Sequence, residues 1–215
     1  QVLKKTLSLS NTQKLELARI ILKDLENKDI QLYFKNQELQ KYVEDANWGG
    51  EVNSATSDYL MMVDANMGAL KSDFYMKRSF EYTLDLSKDV PTANLKITYN
   101  HTAKEKDWMT KDYLSYLRIY VPKGSWLGEA KNVSEQKFGE ELGKKYFGSL
   151  ISVPLGQTKT IEFNYTLPKE SAENYNLLIQ KQSGISNLSG KVTIIGKDGS
   201  AKTYDINSQA DWQMN

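Results

Sequence analysis

The chain has no cysteine, one histidine and only four prolines in 215 residues. The missing thiols exclude disulfides, thiolate metal sites and cysteine nucleophiles together. His101, with no second His or Cys, cannot supply the ligand set of a typical zinc site. Long apolar runs are missing too. The longest, residues 59–63, falls far short of the about 20 residues a membrane-spanning helix needs, so this segment is not expected to insert into a membrane. Neither charge is in excess. With 28 basic and 27 acidic side chains the formal net charge is +1, so no global field favours a polyanion and nucleic acid is not expected as a partner. There is no G-x-S-x-G elbow to present a serine nucleophile, and no G-x-G-x-x-G or Walker loop for a nucleotide, so no cofactor is expected.

What the chain does have is alternation. In residues 73–85, Phe74, Met76, Phe80, Tyr82 and Leu84 share one face, broken only by Arg78, while Asp73, Lys77, Ser79, Glu81, Thr83 and Asp85 share the other. One face is expected to be buried and the other wet. Ala93, Leu95, Ile97, Tyr99 and His101 repeat the pattern after Pro91. Further strands are expected at 113–121, 146–153, 158–167, 175–181, 191–195 and 202–206, with a hairpin turn at Gly196-Lys197-Asp198-Gly199. Residues 123–145, long, charged and punctuated by glycine, read as a mobile surface loop. The expectation is an antiparallel β-sandwich of immunoglobulin or fibronectin type spanning 71–207, followed by a tail at 208–215.

The first 57 residues have a different texture, and residues 1–70 read as an α/β segment. Ser10 and Gln13 have the spacing of a capping box, and Leu15, Ala18, Ile21, Leu22 and Leu25 then recur at helical steps as far as Asn27. This stripe reads as core packing. A short strand at 30–34, a second helix capped by Asn36 and ending near Trp48-Gly49-Gly50, and a strand at 59–63 should follow. The fold class is thus α+β, a mainly antiparallel β-sandwich preceded by a helix-strand-helix-strand segment that completes an upstream domain or packs on the sandwich. Gln1 follows no initiator Met or export signal, so the chain reads as part of a longer product.

Candidate chemistry is sparse. His101 falls on an apolar phase at a strand end, which suits a structural role. Asp64-Ala-Asn66-Met-Gly68 resembles the start of a calcium loop, but the glycine comes one position early and Tyr75 stands where a bidentate Glu is needed. Turn formation explains Asp64, Asn66 and Asp73, with an irregular oxygen-ligand site as the alternative. Glu140-Glu141 reads as a solvated face. Trp108, Trp126 and Trp212, with Tyr113, Tyr116 and Tyr120, are candidates for stacking on sugars, although half-buried aromatics on strands more often serve as core or rim. The four N-x-S/T sequons at Asn100, Asn132, Asn164 and Asn187 are about as many as this composition gives by chance.

The wording of several segments goes beyond periodicity. DYLMMVDANMGALKSDFYMKRSFEYTLDLS (58–87), ITYNHT (97–102), DWMTKDYLSYLRIYVPKGSWL (107–127), YTLP (165–168), YNLLIQKQSG (175–184) and the lead-in DIQLYFKNQELQKYVEDANWGG (29–50) together resemble the C-terminal part of a bacterial family known as domain of unknown function 4012. Asp64, Asn66, Lys71 and Asp73 match the family's VDAN and KSD wording, and Asp107, Trp108, Asp112 and Arg118 its DW, DY and LR wording. The resemblance implies a parent protein held by an N-terminal transmembrane helix, with this segment outside the cytoplasm in a bacterial cell envelope. It also implies that any catalysis lies upstream, in a part that looks loosely similar to enzymes transferring glycopolymers from lipid pyrophosphate to the wall.

These readings together lead to the expectation of a non-catalytic extracytoplasmic interaction or positioning module, with an envelope protein or cell-wall glycan as partner. A transferase-like composite site would instead use Lys71 and Arg78 against pyrophosphate, and a glycan-binding module would use Trp108 and Trp126. The candidate binding residues are Asp64, Asn66, Lys71, Asp73, Arg78, Trp108, Arg118 and Trp126.

Overall fold

The structure is a computed structural model that describes residues 5–6 and 8–214. It divides into two compact units, Gln1–Asn53 with Gln182–Ser186, and Ser54–Lys181 with Asn187–Asn215.

The first unit carries α1 (Asn11–Glu26) and α2 (Gln37–Asp45). Both starts follow from local chemistry. The Gln13 N–H donates to Ser10 Oγ and the Ser10 N–H donates to Gln13 Oε1, which completes the capping box. The Leu39 N–H donates to Asn36 Oδ1 at 3.0 Å, so Asn36 caps α2. Two expectations fail here. Residues 30–34 form no strand, and the Leu32 N–H instead donates to the Trp48 carbonyl at 3.0 Å. The apolar stripe of α1 is buried only at Leu25, while Leu15, Ala18, Ile21 and Leu22 are exposed. Periodicity shows that a face is apolar and not that something covers it. The other helix of this unit with described bounds, α2, is short.

The second unit is a β-sandwich. Among its described residues, twelve strands form two six-stranded sheets. One contains β1 (Asp58–Asn66), β4 (Tyr113–Pro122), β6 (Ser134–Glu141), β7 (Lys144–Val153), β9 (Leu177–Gln180) and β12 (Trp212–Gln213) in the order β12-β9-β1-β4-β7-β6. The other contains β2 (Met76–Asp85), β3 (Thr92–His101), β5 (Trp126–Lys131), β8 (Thr158–Thr166), β10 (Leu188–Ile195) and β11 (Ala201–Ser208) in the order β11-β10-β2-β3-β8-β5. The sheets close on one core. Phe80, Tyr82, Leu84, Leu95, Ile97, Ile161 and Phe163 from one inner face meet Leu60, Leu117, Ile119, Phe147, Ile151 and Ile179 from the other. Each inner set recurs every second residue, as the alternation requires.

The pairing is mainly antiparallel, as expected, with two parallel pairs that the alternation did not reveal. β1 runs parallel to β9 and β2 parallel to β10, so each sheet has one parallel seam. β1 belongs to the sandwich, which moves the unit boundary from residue 71 to residue 54, and the expected tail contributes β12. The supposed loop at 123–145 instead forms β5 and β6. These edge strands are mostly exposed along their length, so polar residues occupy both phases and erase the alternation. Register shifts at Leu127/Glu129 and Ser134/Lys137 and the many charges suit unpaired sheet edges. Phe74 is also corrected. It lies in a 3₁₀ turn (Ser72–Tyr75) before β2 and is 84% exposed, because the turn breaks the two-residue phase.

The parallel seam in the second sheet depends on Gly190, which stands opposite Phe80. A Cβ at Gly190 would overlap both the Phe80 carbonyl and its ring. Gly190→Ala should therefore destabilise the sandwich by about 1–3 kcal/mol, read as a lowered urea midpoint. A wild-type midpoint would show that the seam relaxes freely.

Candidate functional site

The loops that follow β1 and β3 meet at one end of the sandwich, where four of the eight candidate residues converge. Asp64 and Asn66 end β1, Asp73 lies in the following turn, and Arg78 projects inward from β2. Arg78 Nε donates to Asp64 Oδ2 at 2.9 Å, and Arg78 Nη2 donates to Asp73 Oδ1 at 2.8 Å and to the Tyr113 hydroxyl at 2.7 Å. The guanidinium also lies 5.3 Å from the Tyr113 ring centre and 5.8 Å from that of Tyr99. Asp64 accepts further bonds from Ser115 Oγ and the Tyr99 hydroxyl. Asn66 Nδ2 donates to Asp73 Oδ2 and the Leu70 carbonyl, while its Oδ1 accepts from the Gly68 N–H.

The electrostatics follow from burial. Burial pushes the Asp64 carboxyl up from its usual range, and Arg78, Ser115 and Tyr99 pull it back only in part. Burial also works against the Arg78 charge, but Asp64 beside it outweighs this and leaves the guanidinium more firmly protonated than usual. The one guanidinium is shared by two carboxylates. The Asp64 and Asp73 oxygens face a guanidinium, and Asn66 turns an N–H toward Asp73, a donor pattern that occupies the atoms a cation would need.

His101 is fully buried in the same end. The Ala103 N–H donates to its Nδ1, so Nε2 carries the proton and donates to the Lys111 carbonyl at 3.0 Å. The ring thereby ties β3 to the returning loop, in the structural role expected of it. Asp107 accepts from the N–H groups of Met109 and Thr110, and Asp112 accepts from the Leu155 N–H. The Lys71 backbone N–H reaches the Met109 carbonyl, which joins the two loops. Outside this closed interior stand Met67, Phe74 and Trp108, the last 83% exposed, among the exposed lysines Lys71, Lys104, Lys106 and Lys111.

The remaining candidates lie elsewhere. Trp126 is 72% exposed, but the whole of β4 separates it from Trp108, so the two occupy opposite ends of the sandwich, roughly 30 Å apart. They form no common platform. Arg118 lies on the outer face of β4, away from the core.

Sequence reasoning missed a second buried carboxylate, Asp58, at the opposite end of β1. It accepts from the Tyr82 hydroxyl at 2.6 Å, the Tyr175 hydroxyl at 2.7 Å and the Tyr59 N–H. One signal was present: Tyr82 and Tyr99 both lie on apolar phases, and a buried phenol requires a partner.

No protein-family profile matches the chain, and no curated protein matches it. Solved structures with some likeness include a mutant of a two-domain M1 zinc metallopeptidase bound to L-tryptophan, a mutant M1 zinc metallopeptidase from Deinococcus radiodurans bound to a Tyr-Ser-Ala substrate, and the M1 zinc metallopeptidase of the same organism. Each is 9% identical with a TM-score of 0.26, and the alignments cover 55% of this chain and 32–33% of theirs. The chain thus spans about a third of those peptidases. At that TM-score the likeness bears on neither fold nor activity.

Proposed function

We propose that this chain is a non-catalytic, extracytoplasmic interaction or positioning module of a bacterial cell-envelope protein. The observation that carries the reading is the division at the loop end: the Arg78 charge is held within the fold by Asp64 and Asp73, and the aromatic side chains of Phe74 and Trp108 stand in solvent. A transferase-like site would need an Arg78 free to meet developing phosphate charge, whereas this guanidinium is held by Asp64 and Asp73. Phe74 and Trp108, exposed on loops that carry lysines (Lys71, Lys104, Lys106, Lys111) and carboxylates (Asp73, Glu105, Asp107, Asp112) in equal number, suit stacking on a wall polymer. The envelope location rests on the resemblance to the domain of unknown function 4012 family, whose wording Asp64, Asn66, Lys71, Asp73, Trp108 and Arg118 share.

Co-sedimentation with cell-wall sacculi, with and without their attached polymers, tests this reading. Retention on the unstripped sacculi is expected, and the double variant Phe74→Ser, Trp108→Ser should weaken it by about tenfold or more without altering the fold, since both rings are almost wholly exposed. Absence of retention on both preparations would count against the reading. So would turnover of a wall substrate that disappears when one carboxylate of this chain is replaced.

A further inference from the structure

We propose that the outer face of the first sheet, across β4, β7 and β6, binds an anionic saccharide, with Arg118 pairing its charge and Tyr116 and Tyr146 stacking on its rings. This deepens the module reading and rests on it, but it concerns a different surface from the loop end.

The site is built by register. Along β4 the side chains of Tyr113, Ser115, Leu117 and Ile119 turn inward, which places Tyr116 and Arg118 on the outer face. Arg118 stands opposite Gly148 of β7, and Gly148 opposite Lys137 of β6. In the next row Tyr120 stands opposite Tyr146, and Tyr146 opposite Gly139. The two glycines are cut-outs for the two rings. A Cβ on Gly148 would overlap the Tyr116 hydroxyl, and one on Gly139 would come within 2.9 Å of the Tyr146 ring. Both tyrosines therefore lie over neighbouring strands and roof the sheet with aromatic surface.

Arg118 sits between them, 5.4 Å from the Tyr116 ring centre and 6.0 Å from that of Tyr146. It is half-buried, yet among the described residues neither it nor the exposed Lys137 makes a salt bridge. On this face the Glu141 carboxylate accepts from the Tyr120 hydroxyl at 2.6 Å. This is the reverse of Arg78, whose charge is fully met inside the fold. The side-chain hydrogen-bond partner of Arg118 is the neutral Tyr120 hydroxyl, so the guanidinium keeps its charge and further donors for a carboxylate or phosphate.

Geometry narrows the ligand further. An extended peptide gains affinity by adding to a free sheet edge, but the backbone of β4 and β7 is already paired on both sides, so recognition here must come from side chains alone. Flat rings flanking a cation, on an open sheet face, suit sugar rings that carry an acidic group.

Affinity electrophoresis of the full chain tests this, in gels containing polygalacturonate for a carboxylate, a phosphomannan for a phosphate, or neutral dextran. Retardation by one or both charged polymers and not by dextran is expected. Arg118→Gln should weaken it by about tenfold or more, whereas Lys191→Gln, which changes the net charge equally on another surface, should leave it unchanged. Near-UV circular dichroism confirms the fold of each variant. No retardation by either charged polymer would overturn the proposal, and so would retardation that Arg118→Gln leaves intact or that both variants weaken equally. Retention on sacculi that depends on Trp108 but not on Arg118 would leave the module standing and remove this site. Polymer binding lost with Arg118, in a protein that sacculi do not retain, would do the reverse.

Discussion

Replacing Arg78 by alanine is expected to destabilise the sandwich by about 3–5 kcal/mol at neutral pH, the usual cost of breaking a buried ion pair from one side. The loss comes mainly from what is left behind. Asp64, 5% exposed, would keep its bonds from Ser115 and Tyr99 but lose the guanidinium. Its carboxyl already stands above its ordinary range because of burial, and removing the guanidinium moves it further up. The penalty for the charged form is therefore present above that raised value and fades as the pH falls through it, because a protonated Asp64 in the variant no longer buries a charge away from its guanidinium. Urea unfolding at pH 7.5 and at pH 5 should show a deficit that shrinks in acid. Arg78→Lys should fall between the two, because an ammonium cannot span Asp64, Asp73 and Tyr113 at once. A deficit below about 1 kcal/mol, or one that is constant with pH, would show that solvent reaches Asp64 and screens it.

Arg78 also shows how far sequence carries. Its place on an apolar phase marked it as paired or poised, and the pairing partners lay 14 and 5 residues upstream, in Asp64 and Asp73. Tyr99, Tyr113 and Ser115 came from two other strands, and only the register of β2 with β3 and of β1 with β4 brings them to Asp64. Local signals held. The Ser10/Gln13 box and the Asn36 cap are satisfied within four residues, and the strands with one buried face showed their alternation. Signals that depend on distant surfaces failed: the stripe of α1 needed an opposing face, β5 and β6 had no dry side, and Phe74 kept the apolar phase while the turn rotated it outward. Trp108 and Trp126 are close in sequence but separated by the length of β4. The Tyr116, Arg118 and Tyr146 face was equally hidden, because its glycines sit on strands other than those of the rings they admit.

Asp58 is expected to titrate near pH 6, about two units above an ordinary aspartate, and to make the sandwich less stable at neutral pH than in mild acid. It is fully buried, and burial is the dominant cause. The hydroxyls of Tyr175 and Tyr82 and the Tyr59 N–H favour the charged form without fully offsetting it. Among the described residues no salt bridge reaches it. With a folded value of about 6 against 3.8 for the free side chain, the native state binds the extra proton between those limits, so stability falls as the pH rises through that window. The slope amounts to about 3 kcal/mol in total. Asp58→Asn cannot titrate, so its stability relative to wild type should rise by about that amount between pH 4 and pH 7, whatever fixed cost the altered bonding imposes at both. Tyr82→Phe removes a donor to the carboxylate and should move the midpoint higher still. Carbon-13 spectra of the Asp58 carboxyl give the midpoint directly. A value below about 4.5, among the exposed carboxylates, would mean that the three donors hold the charge unaided and that the acid side of the stability profile has another origin.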